Sequence, residues 1–450
     1  MIDRLLIRNV GPIKEKALDF GGRINVFTGD NGLAKTFLLD LIWFALTRKW
    51  PADVNKSMNC GLMALPGEAN KAAMISVKMQ TERGRMIDSY ESRFDKRGQF
   101  WRLPAGRRPS AGLVIYAHAD GSFSVWDQAR NYWSRSAAQM EGLRTDAYVF
   151  SPREVWSGLW NPRDPLKPLC NGLIRDWASW QKGKDPEFEL LREVLRCISP
   201  SEDENDLLVP GELTRIGLDD ARDYPTIHAS YGDVPIVMAS AAVRRIVSLA
   251  YFLVWVFREH YAASQLLGRR PSGQIVLLID EIESHLHPKW QRSVVDGVLS
   301  AVDSLQTLGG KMLFPQANVQ LFLVTHSPLV MTALEDAFDD RQDAWFDMDK
   351  VKGSVAIEKR PFDYQSNAES WLVSRAFDLK TTRSRKCEKA YLAARSVLSE
   401  ALRQETHDID SGLRKRLQDA FSEASRIMDP ADEFLLRYKC ICDALHWNVR

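Results

Sequence analysis

Short apolar runs around Leu5-Leu6-Ile7, Ala17-Leu18-Asp19-Phe20 and Ile24-Asn25-Val26-Phe27-Thr28 predict three strands near the start of the chain. The third runs straight into a glycine-rich turn. Beyond it, Phe37, Leu38, Leu41, Ile42 and Ala45 recur at three-to-four-residue spacing, the pattern of a helix with one face on a sheet. From about 72 to 133 the chain reads as a β-meander with strands over 74–79, 113–116 and 123–126, the last two joined in a hairpin at Asp120-Gly121. Residues 151–235, with Trp156, Trp160, Trp177 and Trp180 among Pro152, Pro162, Pro165 and Pro168 and an acidic loop at 201–206, read as an inserted helical subdomain. A long helix over about 240–265, an apolar strand over 275–279, a helix opening at Pro288 and an apolar strand over 321–325 follow. Strands that are apolar throughout belong in a parallel sheet covered on both faces. A strand pair about Trp345 and 355–357 and a charge-rich helical stretch over 368–450 complete an α/β chain. Its expected divisions are 1–150, 151–235, 236–365 and 366–450.

Composition narrows this picture. Among 450 residues, 60 Lys and Arg stand against 59 Asp and Glu, so any electrostatic grip on nucleic acid or membrane has to be local. One local candidate exists: Arg93, Lys96, Arg97, Arg102, Arg107 and Arg108 interleave with Phe94, Phe100 and Trp101, the chemistry of phosphate contact plus base stacking. A solvated basic loop with aromatic anchors is the plainer reading. The six cysteines lack metal-ligand spacing, which points to reduced thiols and a cytoplasmic home. The apolar run 246–257 is bracketed by Arg244, Arg245, Arg258 and Glu259 and is shorter than the about twenty residues a membrane span needs. No membrane association is expected.

The chemistry concentrates at three strand ends. Gly29-Asp30-Asn31-Gly32-Leu33-Ala34-Lys35-Thr36, with Phe37 after it, lies between a strand and a helix, as a phosphate-binding loop must. Backbone N–H groups would face the phosphates of ATP, Lys35 would charge-pair the β and γ groups, and the Thr36 hydroxyl would ligate Mg²⁺. Ala34 stands where glycine is expected, at little cost if its φ is negative and at more if a left-handed conformation is required. The strand 275–279 ends in Asp280-Glu281, which fits Asp280 as a Mg²⁺ ligand and Glu281 as the general base for an attacking water. The strand 321–325 ends in His326, whose imidazole can donate to a γ-phosphate. His285 and His287 lack further ligands nearby and suit a loop and helix start at Pro288.

These signals in this order resemble an ABC-type ATPase of the soluble RecF, SMC-like and OLD-like group. The DEIESHLHP run at 280–288 and the THSP at 325–328 carry the likeness. The resemblance implies a P-loop ATPase head with an antiparallel β subdomain, a helical insertion and a helical C-terminal tail. It also implies a signature helix whose N-terminus caps the γ-phosphate held by a second protomer. Ser240, Ala241 and Ala242 match that position, with Ala242 where glycine is usual. The family's glutamine loop is sought first at 148–152.

Lacking heptads between Lys35 and Ser240, the chain has no SMC-like arm, and its size resembles the ATPases of bacterial anti-phage defence modules of the Septu and retron-associated kind. Asp347-Met348-Asp349 lacks the preceding glutamate-bearing unit of an OLD-type nuclease and reads as strand-edge acids. The resemblance therefore implies a cytoplasmic ATPase using ATP and Mg²⁺, a homodimer or higher homo-oligomer that regulates a separate effector nuclease or toxin, with DNA as a further partner. The alternative is a nucleotide-gated scaffold with little turnover, favoured by Ala34 and Ala242; a transporter subunit is disfavoured by the histidine-rich loop after Glu281.

Overall fold

The structure, a computed structural model, describes residues 1–80, 87–103, 111–131, 145–161, 164–201, 203, 206–308, 311–312, 318–351, 353–379, 381–403, 410–445 and 447. They form two compact units, Met1–Trp371 and Leu372–Arg450.

In the first unit the hydrophobic runs become two sheets. The central sheet has eight strands in the order Ser354–Arg360, Ala344–Val351, Ile24–Gly29, Asn318–Val324, Gln274–Asp280, Leu113–Ala117, Phe123–Asp127 and Tyr148–Phe150. Four parallel pairings join its five middle strands, Ala344–Val351, Ile24–Gly29, Asn318–Val324, Gln274–Asp280 and Leu113–Ala117, and Gln274–Asp280 is buried along its whole length. Parallel strands end at one edge. Gly29, Asp280 and Val324 therefore finish side by side, with Asp280 registered on Val324.

The second sheet is antiparallel, in the order Ile13–Asp19, Ile2–Val10, Met74–Gln80, Ile87–Asp95 and Phe100–Arg102. The meander expected over 72–133 is thus split between two sheets. Strand Met74–Gln80 alternates buried and exposed positions and pairs with Ile2–Val10, whereas Leu113–Ala117 is buried at every position and pairs parallel to the acidic strand. A hairpin does turn at 118–122, with Gly121 at φ +85°.

Helix Lys35–Thr47 was expected to bury one face. Every residue of it except Thr36 and Phe37 is buried, because it packs against strands of both sheets at once. Gln320 also fastens the sheets together: its amide accepts from Ile2 N (3.0 Å) and donates to the carbonyls of Ile2 (2.8 Å) and Gly21 (2.8 Å). Helix Ala241–Leu266 contacts the far strands through Phe252 stacked on Phe123 and Trp255 edge-on to Phe150.

The 151–235 segment is only partly helical. Helices Pro152–Ser157, Leu173–Gly183 and Pro186–Ile198 alternate with two hairpins, Leu159–Asn161 with Asp164–Cys170 and Thr226–Ala229 with Gly232–Pro235. Proline at 165 and 168 cannot sit inside a helix, and the left-handed Gly172 (φ +81°) separates hairpin from helix. Trp177 is fully buried, while Trp160 is nearly half exposed. In the second unit, helices Arg385–Leu402, Ser411–Ile427 and Glu433–Ala444 start at side-chain caps Ser384, Asp410 and Asp432 and enclose Leu398, Leu417, Tyr438 and Trp447.

Among the described residues no helix is long and apolar enough to cross a membrane.

Candidate nucleotide site

The loop between strand Ile24–Gly29 and helix Lys35–Thr47 is shaped by its glycines. Gly29 has φ +133°, and a Cβ there would lie 2.2 Å from the Met348 carbonyl oxygen, so no other residue fits. Gly32 also has positive φ (79°). Ala34, the residue that caps the helix, has φ 62° and ψ 34°. The left-handed conformation that glycine tolerates is thus held here by alanine, at a cost of about 1–2 kcal/mol.

Lys35 is buried and donates from Nζ to the carbonyls of Gly29 (2.8 Å) and Asp30 (2.7 Å). Burial lowers its pKa to about 8, against the opposing pull of Asp280 and Glu281. Thr36 donates from its hydroxyl to Asp280 Oδ2 at 2.7 Å. Asp280 is fully buried; burial lifts its pKa to about 6, and its other oxygen, Oδ1, has no hydrogen-bond partner. A buried carboxylate oxygen with an unused lone pair beside a threonine hydroxyl fits a hard cation such as Mg²⁺.

Glu281 turns the chain with φ 49° and donates its N–H to the Val324 carbonyl (3.1 Å). With His326 it lines a cavity of about 850 Å³ shared with the loop residues Asn31, Gly32, Leu33, Ala34, Lys35 and Thr36, and with Phe37. Burial lowers the His326 pKa and the Lys35 ammonium lowers it further, which keeps the ring neutral. Gly29 and Asp30 supply carbonyls to Lys35 and do not line the cavity.

Ser240, Ala241 and Ala242 are elsewhere. Ser240 is exposed and caps its own helix by accepting from Val243 N (3.3 Å), Ala242 is buried, and none of the three lines the cleft of the same chain.

Three side chains that sequence reasoning passed over complete the arrangement. Glu283 accepts from the Thr325 hydroxyl (2.9 Å) and from the His326 N–H, bracing one strand end against the next. Arg245 donates to the carbonyls of Ala119 (2.9 Å), Asp280 (2.8 Å) and Glu281 (3.0 Å), so the start of helix Ala241–Leu266 holds the backbone of both acids. Asp40, buried one turn after Thr36, accepts from the Tyr116 hydroxyl (3.1 Å), and burial raises its pKa to about 7. A lone acid in an otherwise apolar helix and a third acid after Asp280-Glu281 were the available signals.

Other expectations fare differently. His287 caps the helix at Pro288 by accepting from Lys289 N, and His285 turns the loop with φ 66°. In the basic and aromatic stretch, Arg93 pairs with Glu91 and Arg102 with Asp95, and Trp101 is buried with its indole N–H on the Ala64 carbonyl. A buried indole offers no stacking face; only Phe100 remains exposed, and Arg107 and Arg108 lie outside the described residues. The 148–152 stretch is an edge strand and a helix cap, where Ser151 and Glu154 form a capping box; it does not line the cleft. Asp347 pairs with Arg360 inside the central sheet.

Comparison with known proteins agrees with this geometry. Residues 4–125 match an "AAA domain" family, and residues 257–332 match one described as "AAA domain, putative AbiEii toxin, Type IV TA system". Two separate stretches of the chain are thus similar to AAA ATPase domains. The first match carries the phosphate loop and the second carries Asp280, Glu281 and His326. The chain is 41% identical over 178 residues to the "Retron Vc95 probable ATPase" of Vibrio cholerae serotype O1 biovar El Tor. That alignment covers 38% of this chain and 29% of the relative's length. Among solved structures it is similar to an SMC head bound to the C-winged helix domain of ScpA, with TM-score 0.43 and 14% identity over 80% of this chain and 97% of the other. The SMC head domain from Thermotoga maritima gives TM-score 0.37 and 12% identity, over 80% and 99%.

Proposed function

We propose that this chain binds ATP with Mg²⁺ in the cleft, hydrolyses it, and uses the bound state to set the activity of a partner. The observation that carries the reading is the Thr36 hydroxyl on one oxygen of a fully buried Asp280 whose second oxygen is unpaired, in a cleft that Lys35, Glu281 and His326 border. Thr36 and Asp280 would hold the metal, which supplies charge neutralisation at the β and γ phosphates. Lys35 exchanges its two loop carbonyls for phosphate oxygens. Glu281 accepts the proton of the water that attacks the γ-phosphorus, and neutral His326 donates a hydrogen bond to a γ-phosphate oxygen.

Because Ser240 to Ala242 stand away from the cleft of their own chain, the reading assigns them to the γ-phosphate of a second copy, as the helix N-terminus there presents free N–H groups. Two copies related head to tail would then enclose two ATP molecules. The likeness to a retron ATPase supports a cytoplasmic defence role with a separate effector, nuclease or toxin. DNA contact rests on Lys96, Arg97 and Phe100 alone among the described residues.

Steady-state phosphate release tests the reaction: the native chain turns over ATP, whereas Glu281→Gln binds ATP and releases no phosphate and Lys35→Ala binds poorly. A second reading, a nucleotide-gated scaffold, is favoured by the left-handed Ala34 and by the buried methyl of Ala242. Tight ATP binding by the native chain without phosphate release, alone or with DNA, would replace the first reading by the second.

A further inference from the structure

Ile279 and Ile282, the residues on either side of Asp280 and Glu281, border a second cavity of about 300 Å³ that shares no lining residue with the phosphate cleft. Helix Ala241–Leu266 turns one face toward it, since Ala241, Arg244, Arg245, Ser248 and Leu249 recur at three-to-four-residue spacing. Much of the lining is apolar. Phe123, Ile246, Leu249, Ile279 and Ile282 are buried around it, and the half-buried Trp156 adds a second aromatic ring.

A hydroxyl interrupts this apolar wall. Ser248 is 5% exposed, and among the described residues its hydroxyl makes no hydrogen bond. Ser157 and Ser199 turn back onto the carbonyls four residues earlier, at 2.9 Å and 2.7 Å, as helical serines commonly do. Ser248 does not, so it offers an occupant of the cavity one donor and one acceptor. One helical turn earlier, the exposed Arg244 lines the same cavity without an ion pair or hydrogen bond among the described residues. Asp120, an acid of the lining, is already engaged by Ser122 through its N–H (2.9 Å) and its hydroxyl (2.5 Å). The open positions are therefore one cation, one hydroxyl and the apolar space between the walls.

We infer that this cavity is a second ligand site, which takes a small aromatic acid: its ring lies among the apolar walls, its carboxylate on Arg244 and a ring hydroxyl on Ser248. Four residues of helix set Arg244 and Ser248 about 6 Å apart along the axis, a separation that a substituted ring bridges. Arg245 connects the site to the acids. Its guanidinium borders the cavity while donating to the carbonyls of Ala119, Asp280 and Glu281, and Glu281 holds a left-handed φ of 49°. An occupant that presses on Arg245 or Ile282 moves the backbone of Glu281. This regulatory half rests on the reading of the cleft as an ATPase site; the binding half does not.

Titration calorimetry of the full chain without nucleotide tests binding, with 4-hydroxyphenylacetate, phenylacetate and 4-hydroxyphenylethanol as probes. The inference expects 4-hydroxyphenylacetate to bind one per chain and more tightly than either probe that lacks one polar group. Ser248→Ala, which leaves the fold and the basal phosphate release intact, should weaken it roughly fivefold and leave phenylacetate unchanged. Ser248→Leu, which fills the cavity, should abolish binding of all three; if that variant fails to fold, the alanine variant still decides. No binding by the native chain, or an unchanged 4-hydroxyphenylacetate affinity in Ser248→Ala, overturns the site. Saturating 4-hydroxyphenylacetate should also change kcat for phosphate release by threefold or more with KM nearly unchanged. Binding with unaltered release overturns the link through Arg245, whereas binding to a chain that releases no phosphate at all overturns the ATPase reading and upholds the second site.

Discussion

At the scale of single residues, the site runs on burial and backbone conformation more than on residue identity. Ala34 occupies a left-handed conformation that costs about 1–2 kcal/mol, while glycine there would lose about 0.5–1 kcal/mol through its freer unfolded chain. Ala34→Gly should therefore raise stability by roughly 0.5–1 kcal/mol, read as a higher urea midpoint with unchanged slope. In the proposed Mg·ATP site two titrating groups, Asp280 and Lys35, would set a pH window for binding. Metal binding needs Asp280 ionised, and burial has raised its pKa to about 6, so affinity should climb as pH rises through 6. Phosphate binding needs Lys35 protonated, and burial has lowered its pKa to about 8, so affinity should fall as pH rises above 8. Calorimetric affinities from pH 5 to 9.5 should form a bell between these limits; a flat profile would remove both groups from the site.

At the scale of elements, strand ends are aligned by pairing and then locked by side chains. Glu283 joins the loop after the acidic strand to Thr325 and His326. In Glu283→Gln one of those donors would face an NH₂ group, so kcat should drop on the order of tenfold with KM nearly unchanged, the signature of a displaced catalytic group rather than lost binding. Gln320 does the same for the two sheets. Gln320→Ala removes the acceptor of the buried Ile2 N–H and one donor to each of the Ile2 and Gly21 carbonyls, and should cost about 1–3 kcal/mol in denaturant unfolding. The all-apolar strands 275–279 and 321–325 were legible in the sequence because a parallel sheet buries both faces. The meander was misread since strand 74–79 and strand 113–116 look alike as apolar runs; only their partners separate them.

At the scale of the whole molecule, one chain presents the proposed phosphate cleft and, away from it, an exposed helix N-terminus at Ser240. The proposed head-to-tail pairing makes ATP part of the interface. Glu281→Gln, which retains ATP, should thus shift from monomer to dimer mass on adding Mg·ATP in light scattering, and Ser240→Arg in the same background should stay monomeric. No change in mass with ATP would rule out the composite site. The charge balance, near zero over 450 residues, is spent in pairs such as Arg102 with Asp95 and Arg383 with Asp432, which is why the basic stretch at 93–102 is less free than its sequence suggests.

Sequence by itself determined the α/β class, the phosphate loop, and the acids and histidine at the ends of two apolar strands, because each depends on spacing along a few consecutive residues. Tertiary structure decided the rest. The burial that moves Lys35 and Asp280 toward neutral pH and the bracing by Glu283 and Arg245 depend on contacts between residues tens to hundreds of positions apart. The stretch 60–67, which also lines the cleft, is the plainest case: as sequence it is a glycine-bounded loop, and it becomes a surface of the cleft only where Asn9, Gly11 and Trp101 fasten it.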